Sequence, residues 1–270
     1  MQLADPIIRC RRTIQTNDLY SNMTLEMEAL LRDARFLGVA RLRQCHYDWH
    51  LISALVERWR PETHTFHLPD GECTITLQDV SVLTGLPIDG RPLTGRVRRE
   101  YLALCQLLLG ISPDPSDIRY SLVRSSWFKE NFSQLPEHVD QTTLHRHTRA
   151  YILQLCSSVL FPKVDTGKVS LLFLHYLENI DLIGQFSWGS ACLASLYREL
   201  CRASRLPAVA QMADPLFLLQ LWAWERFLFL APTLRDRSIP SHAPLGHRYH
   251  TTKFVRILYI FKIYQLMLVY

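Results

Sequence analysis

The sequence predicts a mainly α protein: a single irregular helical domain carrying a small β-hairpin element. Three observations predict it. Apolar residues recur at three- and four-residue spacing along most of the chain. Caps, prolines and glycines punctuate those runs where helices should start and stop. One Pro-Asp-Gly turn separates two short runs with strand character. The chain's 270 residues, 48% hydrophobic and 20% charged, are ample for a buried core and show no disordered composition.

The elements follow in order. Thr24 caps a helix predicted to reach Leu37, with Gly38 as its stop. Leu51, Ile52, Leu55, Val56 and Trp59 form the apolar stripe of a second helix, which must end before Pro61. Phe66–Leu68 and Cys73–Ile75 read as two strands joined by Pro69, Asp70 and Gly71. In such a turn Pro presets the first angle, Asp bonds back and Gly accepts a positive φ. Thr76 and Asp79 then form a capping box for a short helix that Gly85 terminates. Glu100–Leu109 is a helix stopped by Gly110, and residues 112–116 form a loop. Thr142–Leu160 is a long helix closed by Pro162, and residues 164–168 make a turn. Leu171–Ile183 is apolar on one face. Ser187 caps a helix to Ser204 that points Leu193, Leu196, Tyr197 and Leu200 inward. Asp214 and Pro215 start the run LFLLQLWAWERF. No internal repeat or linker divides the chain. Its organisation is an N-terminal extension over 1–20, a domain over 21–235, and an irregular segment with an apolar tail over 236–270.

Charge and cysteine content narrow the functional classes. The formal net charge is +5, and of the 30 basic residues five are Lys and 25 are Arg. Arg forms forked pairs with carboxylates and phosphates and tolerates partial burial, so an ion-paired helical surface is the first reading. Seven Cys without paired spacing indicate reduced thiols in a nuclear or cytosolic protein. The N-terminus lacks the apolar core of a signal peptide. The apolar tail, 257–270, falls short of the ~20 residues that span a bilayer. It reads as a buried helix or as the product of a truncated or misread gene, and no membrane association is expected.

The stretch TLQDVSVLTGLPIDGRPLTG invites sharper readings. A helix-turn-helix fails because Pro87, Gly90 and Pro92 break the required recognition helix. A phosphate loop fails because Arg91 and Pro92 stand where Lys and a hydroxyl residue are needed. His64 and His67 lie three apart in an extended run and face opposite sides, so they do not share a metal. His242, His247 and His250 lack a clear acidic or Cys partner and read as surface residues. The stretch is therefore expected to be a rigid brace that holds no reactant.

Catalytic apparatus is equally thin. A pyridoxal-phosphate enzyme needs a Schiff-base Lys beside a phosphate-binding helix start. Lys129, Lys163 and Lys168 have no such setting. A two-metal nuclease needs acids on a central sheet, whereas these acids fall on helix surfaces and in caps. No Gly-x-Ser-x-Gly elbow occurs. Glu225 and Arg226 follow Trp222 and Trp224 in an apolar helix. An unpaired buried carboxylate is costly, so Glu225 is expected to pair with an Arg from another helix; an acid site in a pocket is the rival. Arg91, Arg96, Arg98 and Arg99 form the best nucleic-acid patch, suited to sequence-independent phosphate contacts. Ion pairing of the same Arg side chains with nearby acids is the alternative.

The segment ALVERWRPETHTFHLPDGECTITLQDVSVLTGLPIDGRPLTG, with TRAYILQL, VLFP, IGQFSWGSACLASLYRELCRAS and LLQLWAWERF, resembles the plant mobile domain, also called aminotransferase-like. Its signature residues here are Trp59, His67, Pro69, Gly71, Asp79, Gly85, Pro87, Gly90, Trp188, Trp222, Trp224, Glu225 and Arg226. The likeness covers residues 25–235; Leu228–Ala231 delay the usual Pro, and nothing similar to the family is visible after Tyr249. The resemblance implies a domain found in plant transposon proteins and in host proteins of the maintenance-of-meristems group. It implies a nuclear, non-enzymatic protein active in meristem maintenance and in transposon and gene silencing. A long, phosphatase-like protein is the implied partner, and no cofactor or catalytic residue is implied. A transposon-derived nucleic-acid-binding module is the first alternative and an aminotransferase-like enzyme the second.

Overall fold

The computed structural model describes residues 23–42, 47–94, 100–136, 139–162, 167–205, 212, 215–232 and 243–249. Nine α-helices are described there, as predicted for a mainly α chain. They are α1 (Leu25–Asp33), α2 (Leu37–Arg41), α3 (Trp49–Arg58), α4 (Leu77–Thr84), α5 (Tyr101–Leu109), α6 (Ser125–Phe132), α7 (Gln141–Leu155), α8 (Trp188–Arg205) and α9 (Leu216–Arg226). Two small antiparallel sheets lie among them: β1 (Trp59–Arg60), β2 (Thr65–Leu68) and β3 (Gly71–Cys73) form one, and β4 (Leu122–Arg124) with β5 (Lys168–Ser170) the other.

Local chemistry explains the helix ends. The Thr24 hydroxyl accepts from Met27 N at 3.3 Å and starts α1. Asp48 accepts from His50 N and Leu51 N at 3.0 and 3.1 Å and starts α3, whose stripe from Leu51 to Val56 is buried. Burial raises the Asp48 carboxyl above its ordinary range, against those two backbone bonds. Thr76 and Asp79 make the reciprocal capping box, and Gly85 ends α4 at φ 74°. Gly110 ends α5 in the same left-handed way.

Three sequence expectations need correction. The first helix stops at Asp33, not Leu37, and Gly38 lies inside α2. Gly38 is there for contact: a Cβ on it would come within 2.2 Å of the Thr84 carbonyl oxygen. The hairpin closes two residues earlier than expected, with Leu68 opposite Gly71. Trp59–Arg60 adds a third strand to it, opposite Phe66 and Thr65. Trp59 therefore leaves the helix stripe and joins the sheet. The apolar face at 171–183 is wound as two 3₁₀ segments, Leu171–Leu177 and Ile180–Gln185, and buries Leu171, Leu174, Leu177, Ile180 and Ile183. The Asn179 side chain accepts from Asp181 N and starts the second.

Four Trp anchor the core. Trp59, Trp188, Trp222 and Trp224 are all essentially buried. Trp59 meets Phe66 and Tyr197 edge-on at 4.8 and 5.1 Å. Trp188 meets Phe36 at 5.0 Å and donates from Nε1 to Ile183 O at 2.9 Å. Trp224 packs on Tyr249 at 4.9 Å. Residues 245–249, placed by sequence in the irregular C-terminal segment, thus join the core as a 3₁₀ turn. Arg149 is tied to carbonyls at Leu177, Leu108 and Glu178 (2.8, 3.4 and 3.2 Å), joining α7 to the ends of two neighbouring elements.

His147 on α7 is 7% exposed and sits against Phe132. Burial lowers its pKa below the ordinary 6.5. The unfolded chain therefore binds this proton more readily than the fold does. The stability linked to His147 is complete above 6.5 and is lost as pH falls through the lower folded value. Urea midpoints should drop across that acid window, and His147→Gln should flatten the drop; an equal slope would remove His147 from the account.

Candidate functional site

The family-like signature at 85–91 folds as a clasp. Arg91 N donates to Gln185 O at 2.9 Å, and Ser187 N returns a bond to Arg91 O at 2.9 Å. The Ser187 hydroxyl, predicted to cap α8, donates to Arg91 O at 3.1 Å. Gly189 N donates to Pro87 O at 2.7 Å, and the Ser190 hydroxyl to Ile88 O at 2.6 Å. Pro87 has no N–H to satisfy, and the N-terminal turn of α8 engages its carbonyl. Gly90 takes φ 95°, and a Cβ there would lie 2.2 Å from Gln185 O. The brace expected from the sequence is therefore built from backbone bonds and two serine hydroxyls.

Most other signature residues are also placed by packing. Pro69 and Gly71 close the hairpin, and His67 pairs across it with Glu72 at 2.5 Å. That pair is half-exposed, and Glu72's carboxyl is held below its ordinary range by bonds from Thr65 first and His67 second. Glu225 pairs with Arg248 at 3.3 Å, each about one-fifth exposed. The partner comes from the short 3₁₀ helix Leu245–Tyr249. Glu225 and Arg226 both sit in the last turn of α9, where Arg226 reaches solvent. Burial and then the Glu225 charge raise the Tyr249 hydroxyl well above its ordinary range. Glu225→Gln is expected to lower stability by about 1–3 kcal/mol by stranding Arg248. An unchanged denaturation midpoint would show that the pair has no structural part.

Arg91 places its side chain on the surface, whereas Arg96, Arg98 and Arg99 lie outside the described residues, as do His242, His250 and the Asp214 cap. What Arg91 joins was not foreseen. Two adjoining hollows, about 1170 and 610 Å³, share Arg35, Ser81 and Gly85. Arg32, Arg35 and Arg41 line the first, and Arg35 and Arg91 the second. The acids Asp33 and Asp89 also border the groove. Arg41 pairs with Glu28 at 3.5 Å.

Arg35 holds an unusual backbone position, φ 63°. Phe36 N donates to Leu31 O and Arg35 N to Arg32 O, the paired bonds of a Schellman ending. The residue in that left-handed position is usually Gly, and a side chain there costs about 1–2 kcal/mol. The sequence hid this, because the helix was expected to run through Arg35. The irregular DARFLG segment was the available signal.

No group of three His, Cys, Asp or Glu able to hold a metal occurs among the described residues, and no described helix is long and apolar enough to cross a membrane. The five described cysteines are free thiols, and burial pushes the Cys105 thiol up to about 12.

A helical domain braced by its own signature turns, with an arginine groove on the outer face of the brace, is the class that fold and site define. The chain belongs to the plant mobile domain family, whose match covers residues 36–267, including most of the segment after Tyr249, where no likeness was expected. Among the proteins it is similar to are three from Arabidopsis thaliana. Identity is 51% over 70% of this chain and 14% of the relative for Serine/threonine-protein phosphatase 7 long form homolog. For Protein MAIN-LIKE 1 it is 44%, over 81% of this chain and 43% of the relative. For Protein MAINTENANCE OF MERISTEMS it is 35%, over 87% of this chain and 49% of the relative. The chain thus spans less than half the length of each of these relatives. No solved structure matches it.

Proposed function

We propose that this chain is a non-enzymatic nuclear protein acting in meristem maintenance and in transposon and gene silencing, and that it works through protein–protein interaction. The observation that carries the reading is its 35% identity to Protein MAINTENANCE OF MERISTEMS over 87% of its own length. The internal bracing of the signature supports it, since the backbone polar groups of Pro87, Ile88 and Arg91 bond within the fold. The proposed partner is a long, phosphatase-like protein. Expression in plants lacking MAINTENANCE OF MERISTEMS tests the reading. Nuclear accumulation, restored meristems and co-purification with the phosphatase 7 long-form protein are expected. Failure to restore meristems despite accumulation would overturn it.

A transposon-derived nucleic-acid module is the second reading, favoured by the exposed Arg91 side chain. Changing Arg91, Arg96, Arg98 and Arg99 to Ala should then weaken salt-dependent binding to DNA or RNA. An unchanged isotherm removes that reading.

A further inference from the structure

We infer that the groove between the α1–α2 corner and the 85–91 clasp binds an acidic peptide segment of a protein partner. The inference rests on the protein-interaction reading and gives it a surface. Arg32, Arg35 and Arg91 form no ion pair among the described residues, although Arg41, Arg202 and Arg248 are each paired with a Glu. Three exposed guanidinium groups therefore border one groove with their forks uncommitted. Arg35 is kept there in a left-handed backbone position that Gly would occupy without strain. An anionic ligand accounts for retaining the guanidinium at that corner.

The lining chooses between anions. Among the described residues no aromatic side chain borders either hollow, so bases find no stacking platform there. Gly85 and Pro87 instead border the groove with little side-chain bulk, which leaves room for an extended peptide backbone. Carboxylates spaced along that peptide would meet the Arg forks in charge-assisted pairs.

Fluorescence anisotropy on the full chain tests this with a labelled oligo-glutamate peptide and a single-stranded oligonucleotide of equal charge. The peptide should bind more tightly than the oligonucleotide. Arg35→Gly and Arg91→Ala should each weaken it about tenfold, while Arg119→Ala, away from the groove, should not. Arg35→Gly should also raise the unfolding temperature, which separates lost binding from misfolding. Absence of peptide binding, equal binding by both groove variants, or tighter binding of the oligonucleotide overturns the inference. If both variants still co-purify with the phosphatase-like protein, the groove is overturned and the interaction reading stands. If the wild type recovers no such protein while the peptide result holds, the choice of partner fails instead.

Discussion

Gly90→Ala is expected to lower the stability of the domain by about 2–5 kcal/mol. Two effects add. The backbone at φ 95° strains any side chain, which costs about 1–3 kcal/mol. The new methyl would also stand 2.2 Å from Gln185 O, so the clasp must open or shift. Gln185 O accepts the Arg91 N–H, and that bond would be the first to go. Gly71→Ala separates the two effects. Its φ is 126°, but nothing lies within 4 Å of a Cβ there, so only backbone strain remains. Urea denaturation should give Gly90→Ala a clearly larger loss than Gly71→Ala. Equal losses would mean that the clasp yields freely and does not brace the fold.

Trp59→Ala is expected to cost about 3–5 kcal/mol, in the range for deleting a fully buried large aromatic. Trp59 is 1% exposed at the junction where α3 turns into β1. Its ring meets Phe66 from the hairpin and Tyr197 from α8, and its Nε1 donates to the Cys201 sulfur at 3.3 Å. Tyr197 in turn donates to Ile75 O at 2.6 Å, so the indole and the phenol together fasten the hairpin to α8. Trp59→Phe keeps most of the apolar contact and loses the weak N–H···S bond, so a loss of about 1–2 kcal/mol is expected. Amide exchange should locate the damage: in Trp59→Ala the amides of 65–73 should lose protection before those of α7. Uniform loss across the domain would deny Trp59 its role as a local fastener.

Much of this fold is legible in the sequence because its signals are short-range. Thr24, Thr76 with Asp79, Gly85 and Gly110 act within one helical turn of their own positions. The stripe from Leu51 to Trp59 and the Pro69-Asp70-Gly71 turn are equally local. The misreadings have an equally physical cause. The β4–β5 ladder has only three residues on each side, too few for an alternating pattern to register. Arg35 takes a position that Gly usually marks, so the end of α1 carried no glycine signal. The pairing of Glu225 followed from the cost of a lone buried charge, but its partner Arg248 lies 23 positions away in a turn without helical periodicity.

By itself the sequence determined the helical class, the capped helix ends, the hairpin and the apolar faces, since each depends on residues within a few positions of one another. Only the tertiary structure decided that Gly38 is a contact point against Thr84, that Arg91 closes a clasp on Ser187 from 96 positions away, and that Arg35 and Arg91 border one groove. Those features arise when distant backbone segments meet. Their geometry is set by the packing of whole helices, which no local run of residues encodes.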